Sequence, residues 1–383
     1  MEFLQISEDI EQIRNMNDEK KIFITGGHLS PAIAVIEEMK KKFPAWHLIF
    51  LGRTIAMESD VSASSEYEEI QKREVRFLPV TTGRMRRDIS LEALTSYGKI
   101  PLGFLQSLWY CLTQRPDLIL SFGGYVSLPV ACAGWLLGIP VITHEQTHRL
   151  GFANSLIALF SDVLCLSYED TKGVYLKEKT VVTGLPIRKE FFFPPKISSF
   201  SVSSGKPILY ITGGTTGAVT LNEIIFPVIS RLVKKYIVIH QTGKKSFPAA
   251  KNIKENIPIN LRASYLPYEY LNAQDVSWIM HHMALVVGRS GANTVAEVSL
   301  LSKNAVFIPL PWSGKGEQKE NALYYAQSGR AEVLNQKDLT TEKLYASILR
   351  QTKALSENKT GKLSLNEDAA ERLTDIIVRA LRQ

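Results

Sequence analysis

The sequence predicts an α/β protein made of two doubly wound parallel-sheet domains. Three observations carry that expectation. Short apolar, β-prone runs alternate with amphipathic helical runs through most of the chain. The tetrapeptide Ile-Thr-Gly-Gly occurs twice, at 24–27 and 211–214, each time between such a strand and such a helix. One aperiodic stretch, RKEFFFPPKISSFSVSSGK, rich in Ser, Pro and Phe, separates the halves. Consecutive strands joined by helices pair in parallel, because a parallel pair needs a crossover, and the helices then cover both faces.

In the first half the strands are read at KKIFIT, HLIFLG, VRFLPV, DLILSFG, PVITHE, DVLCLSY and KTVVTG, with helices such as PAIAVIEEMKKKF and LGFANSLIALF between them. The second half repeats the arrangement with PILYIT, YIVIHQTG, INLRASYL, ALVVGRSG, NAVFIPL and AEVLNQ. The expected boundaries are a first domain over 1–190, a linker over 191–206 and a second domain over 207–365. The final segment, LNEDAAERLTDIIVRALRQ, has the 3.6-residue period of an amphipathic helix. It is free to stay with the second domain or, over 366–383, to pack back on the first. Two such domains would face each other across a cleft at the carboxyl ends of their sheets, where open α/β sheets bind ligands.

With 45% hydrophobic and 22% charged residues, the 383-residue chain has the composition of a globular protein of two ordinary domains. Cys111, Cys132 and Cys165 form no CxxC pair and read as small buried apolar residues in a reducing compartment. The N-terminal segment lacks the apolar core of a signal peptide, and LPVACAGWLLGIPVIT is short for a membrane span and broken by Gly138-Ile139-Pro140. A cytoplasmic protein is expected. Its net charge of +7 fits a basic surface, an anionic membrane, a phosphorylated substrate or nucleic acid, and does not choose among them.

The chemistry is expected at the glycine turns. A strand, a glycine pair and a helix expose backbone N–H groups at a positive helix end, which suits phosphate or pyrophosphate. Gly26-Gly27, Gly123-Gly124, the Gly213-Gly214 and Gly217 turn, and Arg289-Ser290-Gly291 all fit that description. There is no GxGxxG, no GxxxxGK[ST] and no Asp-x-Asp, so dinucleotide, P-loop and carboxylate-held metal chemistry are not indicated. His28 follows the first turn; it either braces the turn or acts as a general base near neutral pH. His144-Glu145 either orients a substrate hydroxyl or forms a buried pair that holds its loop, and His281-His282 read as surface residues on a helix. Glu297 is placed to accept hydrogen bonds from ribose hydroxyls or to serve as a plain helix glutamate.

Taken together, TGGHLSPAIAV, SFGGYVSLPVACAGWLLGIPVITHEQ, GFANSLIALF, TGLPIR, TGGTTGAVTLN, IHQTGK, GRSGANTVAEV and EQKENA resemble the MurG family, within glycosyltransferase family 28, from about residue 21 to about residue 336. The resemblance implies a GT-B fold and an inverting, metal-independent transfer. GlcNAc would pass from UDP-GlcNAc to the C4 hydroxyl of MurNAc in undecaprenyl-pyrophosphoryl-MurNAc-pentapeptide (lipid I), giving lipid II, with no cofactor and no nucleic acid. It implies His28 as the base on a turn facing the acceptor, and Gly123, Gly124, Tyr125, Glu145 and Thr147 as acceptor contacts. The implied donor contacts are Thr25, Gly26, Gly27, Arg188, Thr215, Thr216, Leu266, Ala292, Asn293, Thr294, Glu297 and Gln318. Four features depart from the family pattern: a shorter first turn, Thr147 in place of an asparagine, Thr215 in place of a serine, and Glu317 before Gln318. Arg84, Arg86, Arg87 and Lys99 stand beside Leu102, Phe104, Leu105, Leu108 and Trp109. The apolar residues either form the core face of a helix or, where partly exposed, dock the protein peripherally on the anionic cytoplasmic face of the cell membrane, the reading preferred here.

Overall fold

The computed structural model describes residues 19–54, 65–81, 91–193, 200, 205–214, 217–313, 316–353 and 368–382. The chain divides into two compact units, Met1–Ile187 with Asn366–Gln383, and Arg188–Leu365. The first carries strands β1 (Lys21–Thr25), β2 (His47–Gly52), β3 (Arg76–Pro79), β4 (Leu118–Ser121), β5 (Val141–Glu145), β6 (Val163–Leu166) and β7 (Thr180–Val182). Its helices are α1 (Leu29–Lys42), α2 (Ser65–Gln71), α3 (Leu91–Gln114), α4 (Ser127–Leu136) and α5 (Phe152–Ile157). All strand pairs are parallel, in the order β3-β2-β1-β4-β5-β6-β7.

Successive side chains of a strand point to opposite faces, and here both faces are apolar. Ile22, Ile24, Leu48, Phe50, Leu118 and Leu120 pack in one layer with Ile33, Ile36 and Met39 of α1. Phe23, Ile49, Leu51 and Ile119 pack in the other with Tyr110 of α3 and Val130 of α4. Cys111 and Cys165 lie in these cores, whereas Cys132 is partly exposed. Burial pushes the thiols of Cys111 and Cys165 up to about 12 and that of Cys132 to about 11, so none is a ready nucleophile.

The second unit has strands β8 (Ile208–Thr212), β9 (Ile237–Gln241), β10 (Tyr265–Tyr268), β11 (Met283–Gly288), β12 (Asn304–Phe307) and β13 (Ala331–Val333), parallel in the order β10-β9-β8-β11-β12-β13. Its helices are α6 (Val219–Ile225), α7 (Ile229–Leu232), α8 (Phe247–Asn256), α9 (Ile259–Arg262), α10 (Ala273–His282), α11 (Ala292–Leu300), α12 (Glu317–Ala326) and α13 (Thr341–Lys353). The segment INLRASYL, expected as a strand, is split: its first four residues are α9, and the strand begins at Tyr265. Ile259 is 83% exposed, so that apolar start does not enter the core, and the Arg262 guanidinium closes the turn on the carbonyls of Glu255 and Ile257.

The division between units falls between Ile187 and Arg188. A 3-10 turn over Lys189–Phe191 lies inside the second unit, with Phe191 fully buried and the Ser277 hydroxyl of α10 donating to the Glu190 carbonyl. The last helix, α14 (Ala369–Ala380), belongs to the first unit. Leu373 and Ile377, one turn apart, are fully buried in the layer that contains α1. Lys42 of α1 also reaches Glu371 at 2.8 Å and Asp375 at 3.4 Å, but those carboxylates are more than half exposed and add little. The apolar pair sets the seat of α14. Ile377→Ala is expected to lower the stability of the first unit by about 2–5 kcal/mol, read as a lower midpoint in urea denaturation.

Candidate active-site turns

In each sheet the first strand lies between neighbours whose crossovers leave in opposite directions, which opens a crevice at the carboxyl ends of the central pair. In the first unit that pair is β1 and β4, with Thr25 and Ser121 in register at the end. The two loops that follow are locked together. Gly27 N–H donates to the Gly123 carbonyl at 2.8 Å, and Phe122 N–H donates to the Thr25 carbonyl at 2.7 Å. A Cβ on Gly26 would sit 2.7 Å from the Phe122 Cβ, so the approach of the loops requires glycine there. Gly123 N–H is also engaged, by the Ser121 hydroxyl at 3.1 Å. The amides of Gly27 and Gly123 are therefore spent on the turns themselves, a correction to the expectation that glycine amides stand open for an anion. Gly124 leads into Tyr125, whose side chain is 39% exposed, and then into α4.

His28 is the residue just before α1, partly exposed and with no side-chain cap bond. Its Nδ1 lies 2.5 Å from the side-chain amide of Gln146, which follows β5. Desolvation lowers the His28 pKa below the ordinary 6.5, with Glu145 pulling the other way, so the imidazole is neutral at pH 7. His144 is buried, its Nε2 bonds the Gly184 carbonyl at 3.1 Å, and burial pushes its pKa down to about 4. Glu145 is buried too. Its oxygens accept from Thr147 N–H at 3.0 Å and hydroxyl at 2.9 Å, from Gly151 N–H at 2.9 Å and from the Asn154 amide at 2.8 Å. Of the two readings open for His144-Glu145, the geometry matches the buried pair that holds its loop. Thr147 works within the same brace, its hydroxyl also lying 2.6 Å from the Arg149 carbonyl, so that its one proton is shared between that oxygen and the Glu145 carboxylate. Gln146 and Asn154 were not singled out from the sequence. Their signal was limited to their places in ITHEQ and GFANS, because their partners lie far along the chain.

In the second unit the central pair is β8 and β11, with Thr212 and Gly288 in register at the end. Gly214 N–H bonds the Thr212 hydroxyl at 3.1 Å, and Gly217 N–H bonds the Gly214 carbonyl at 3.1 Å. Gly217 has a φ of 76°, and a Cβ there would meet the Thr242 carbonyl at 2.6 Å. Side chains brace this turn from β9: Gln241 donates to the Gly214 carbonyl at 3.2 Å while accepting from the Tyr210 hydroxyl at 3.0 Å. Thr215 and Thr216 lie outside the described residues. Arg289 does not open toward a ligand; it is buried and donates to the carbonyls of Ile308 at 2.9 Å and Pro309 at 3.4 Å.

Gly291 precedes α11, whose first turn presents Asn293 and Thr294 partly exposed and Ala292 buried. Glu297 is buried one turn further, its Oε1 3.5 Å from Nη2 of Arg188. Burial pushes the Glu297 carboxyl up to about 7, against the pull of the Arg188 guanidinium. Gln318 accepts from Leu310 N–H at 3.0 Å, and Ser290 donates to the Gln318 carbonyl at 2.8 Å, so the turn before α11 and the start of α12 are tied. Leu266 is partly exposed on the edge strand β10. Arg188, Glu297, the first turn of α11, Gln318 and Leu266 thus fall in the second unit, while Thr25, Gly26 and Gly27 lie in the first beside His28.

Two doubly wound parallel sheets, each with its turns at the switch point, define a two-unit α/β protein of the GT-B class. The glycosyltransferase family 28 N-terminal domain matches residues 25–163 and the family 28 C-terminal domain matches residues 208–378. The chain belongs to glycosyltransferase family 28. It is 31% identical, over 88% of each chain, to the UDP-N-acetylglucosamine--N-acetylmuramyl-(pentapeptide) pyrophosphoryl-undecaprenol N-acetylglucosamine transferase of Treponema denticola. It is 30% identical to the protein of the same name from Clostridium botulinum strain Langeland, over 89% of this chain and 92% of that one. The crystal structure of Acinetobacter baumannii MurG superposes with a TM-score of 0.66 at 24% identity, covering 94% of this chain and 99% of that one, which speaks for the fold.

Proposed function

We propose that the protein transfers GlcNAc from UDP-GlcNAc to the C4 hydroxyl of MurNAc in lipid I, forming lipid II for peptidoglycan synthesis. The observation that carries the chemistry is the place of His28 just past the carboxyl end of β1, beside the paired turns at the switch point, where desolvation lowers its pKa and so favours the base form. As the C4 oxygen bonds the anomeric carbon, its proton passes to the imidazole. The bond from that carbon to the phosphate oxygen breaks, its electron pair leaves with UDP, and the anomeric configuration inverts. In this reading Gly124 and Tyr125 line the acceptor pyrophosphate, and Glu145 and Thr147 act through the loop they hold. Glu297 accepts from the ribose hydroxyls, Arg188 offsets the charge of the departing diphosphate, and Leu266, Asn293, Thr294 and Gln318 surround the rest of the donor.

Incubation with UDP-GlcNAc and separate lipid acceptors tests the assignment. A GlcNAc-MurNAc disaccharide is expected on lipid I. Turnover with diacylglycerol alone would end the assignment, and UDP binding without turnover on any acceptor would point to a non-catalytic nucleotide-sugar-binding protein.

Membrane docking is part of the same reading. On α3, Phe104 and Leu108 turn to the core, whereas Leu102, Leu105, Trp109 and Leu112 are each 54–60% exposed. Their spacing of three, four and three residues makes one outward stripe, and Trp135 and Leu136 of α4 are exposed as well. Arg84, Arg86 and Arg87 lie outside the described residues, as does the side chain of Lys99. No helix among the described residues is long and apolar enough to cross a membrane. An amphipathic stripe of this kind suits shallow insertion at the cytoplasmic leaflet, where the lipid-linked acceptor would be met. Leu105→Glu with Trp109→Glu is expected to abolish sedimentation with anionic vesicles while leaving UDP binding intact.

A further inference from the structure

The loop after β5 places a buried side-chain amide against the imidazole. Gln146 is 3% exposed and its amide meets Nδ1 of His28 at 2.5 Å across 118 residues of sequence. That contact occupies Nδ1 and leaves Nε2 as the nitrogen able to meet a substrate hydroxyl. The two ends of an amide are assigned from their partners, and the two assignments have opposite chemical consequences. As placed, the NH2 nitrogen faces Nδ1, which would leave the ring proton on Nε2, and the side-chain carbonyl is buried with no partner among the described residues. Turning the amide over puts the NH2 group in that same place, so the buried end does not choose between the two. If the carbonyl accepts from Nδ1–H, the lone pair is on Nε2, where a base needs it.

We propose that Gln146 is the positioning residue of His28, its side-chain carbonyl accepting from Nδ1–H and so holding the base tautomer. The inference rests on the reading of His28 as the base. Gln146 is a neutral stand-in for the carboxylate that orients histidine in other catalytic pairs. It fixes the tautomer without adding a charge that would raise the imidazole pKa. The titratable groups that act on this pair are Glu145, which favours the charged ring, and His144, which stays neutral. Glu145 and its partners hold the peptide on either side of Gln146 and thereby set the aim of the amide.

Three variants and one spectrum test this. Gln146→Leu, which keeps bulk and removes the bond, is expected to lower kcat about 10- to 100-fold with the KM for UDP-GlcNAc unchanged. Gln146→Glu, which can accept but not donate, is expected to restore kcat and move the acid limb of its pH profile upward. If Gln146→Glu is folded and as slow as Gln146→Leu, carbonyl acceptance is overturned. Long-range proton–nitrogen NMR of the wild-type protein should show His28 protonated at Nδ1; protonation at Nε2, with His28→Ala inactive, defeats this inference alone. Full activity in His28→Ala would instead remove the base assignment, whatever the tautomer.

Discussion

Replacing His28 by alanine is expected to lower kcat by about 100- to 10,000-fold, the usual contribution of a positioned general base. UDP-GlcNAc affinity should hardly change, because the donor contacts proposed on α11, at Arg188 and at Gln318 lie in the other unit of the chain. Titration calorimetry with UDP beside single-turnover kinetics separates the two quantities; a parallel loss of binding and turnover would assign His28 to structure instead. The wild-type pH profile carries the same signature. Desolvation outweighs the pull of Glu145 and leaves the imidazole pKa below 6.5. The base form is thus present at pH 7, and kcat is expected to fall only as pH drops through a value under 6.5. An acid limb above 6.5 would mean that the carboxylate dominates the imidazole.

Glu297→Ala is expected to weaken UDP-GlcNAc binding about 10- to 100-fold, since a buried carboxylate bonded to hydroxyls contributes roughly 1.5–3 kcal/mol. Burial holds this carboxyl near 7 in the folded protein against an ordinary value of 4.5. A raised carboxyl binds its proton more tightly folded than unfolded. Stability therefore declines as pH rises from about 4.5 to about 7 and is level above that on account of this group. Glu297→Gln should remove that slope in urea denaturation run across the pH range. The same titration should make donor affinity increase with pH up to about 7, because the ionised form is the better acceptor for ribose hydroxyls. A flat affinity profile would place the ribose elsewhere.

Much of the fold was legible because its signals are local. Ile22 and Ile24 alternate with Phe23 on β1, and the same period of two runs through Leu48, Ile49 and Phe50 on β2, so each strand announces two apolar faces. INLRASYL misled because an apolar residue at a helical turn, Ile259, resembles the start of a strand until its exposure is known. At the site, the glycine turns were legible as turns and not as to the use of their amides. Gly27 and Gly123 bond inside the turns because the β1 and β4 loops abut, a contact that neither loop encodes alone.

Periodicity and turn chemistry in the sequence sufficed for two strand–helix halves, for the four turns that carry the candidate site and for the amphipathic face of the last helix. Only the folded chain decided where that helix sits, since Leu373 and Ile377 find their partners on α1 from the far end of the polypeptide. It also decided that Glu145 braces a loop and that Gln146, rather than a charged residue, meets His28. The reason is physical. Periodicity reports which face of an element leaves water, whereas the identity of the group on the other side of that face depends on contacts made across long stretches of chain.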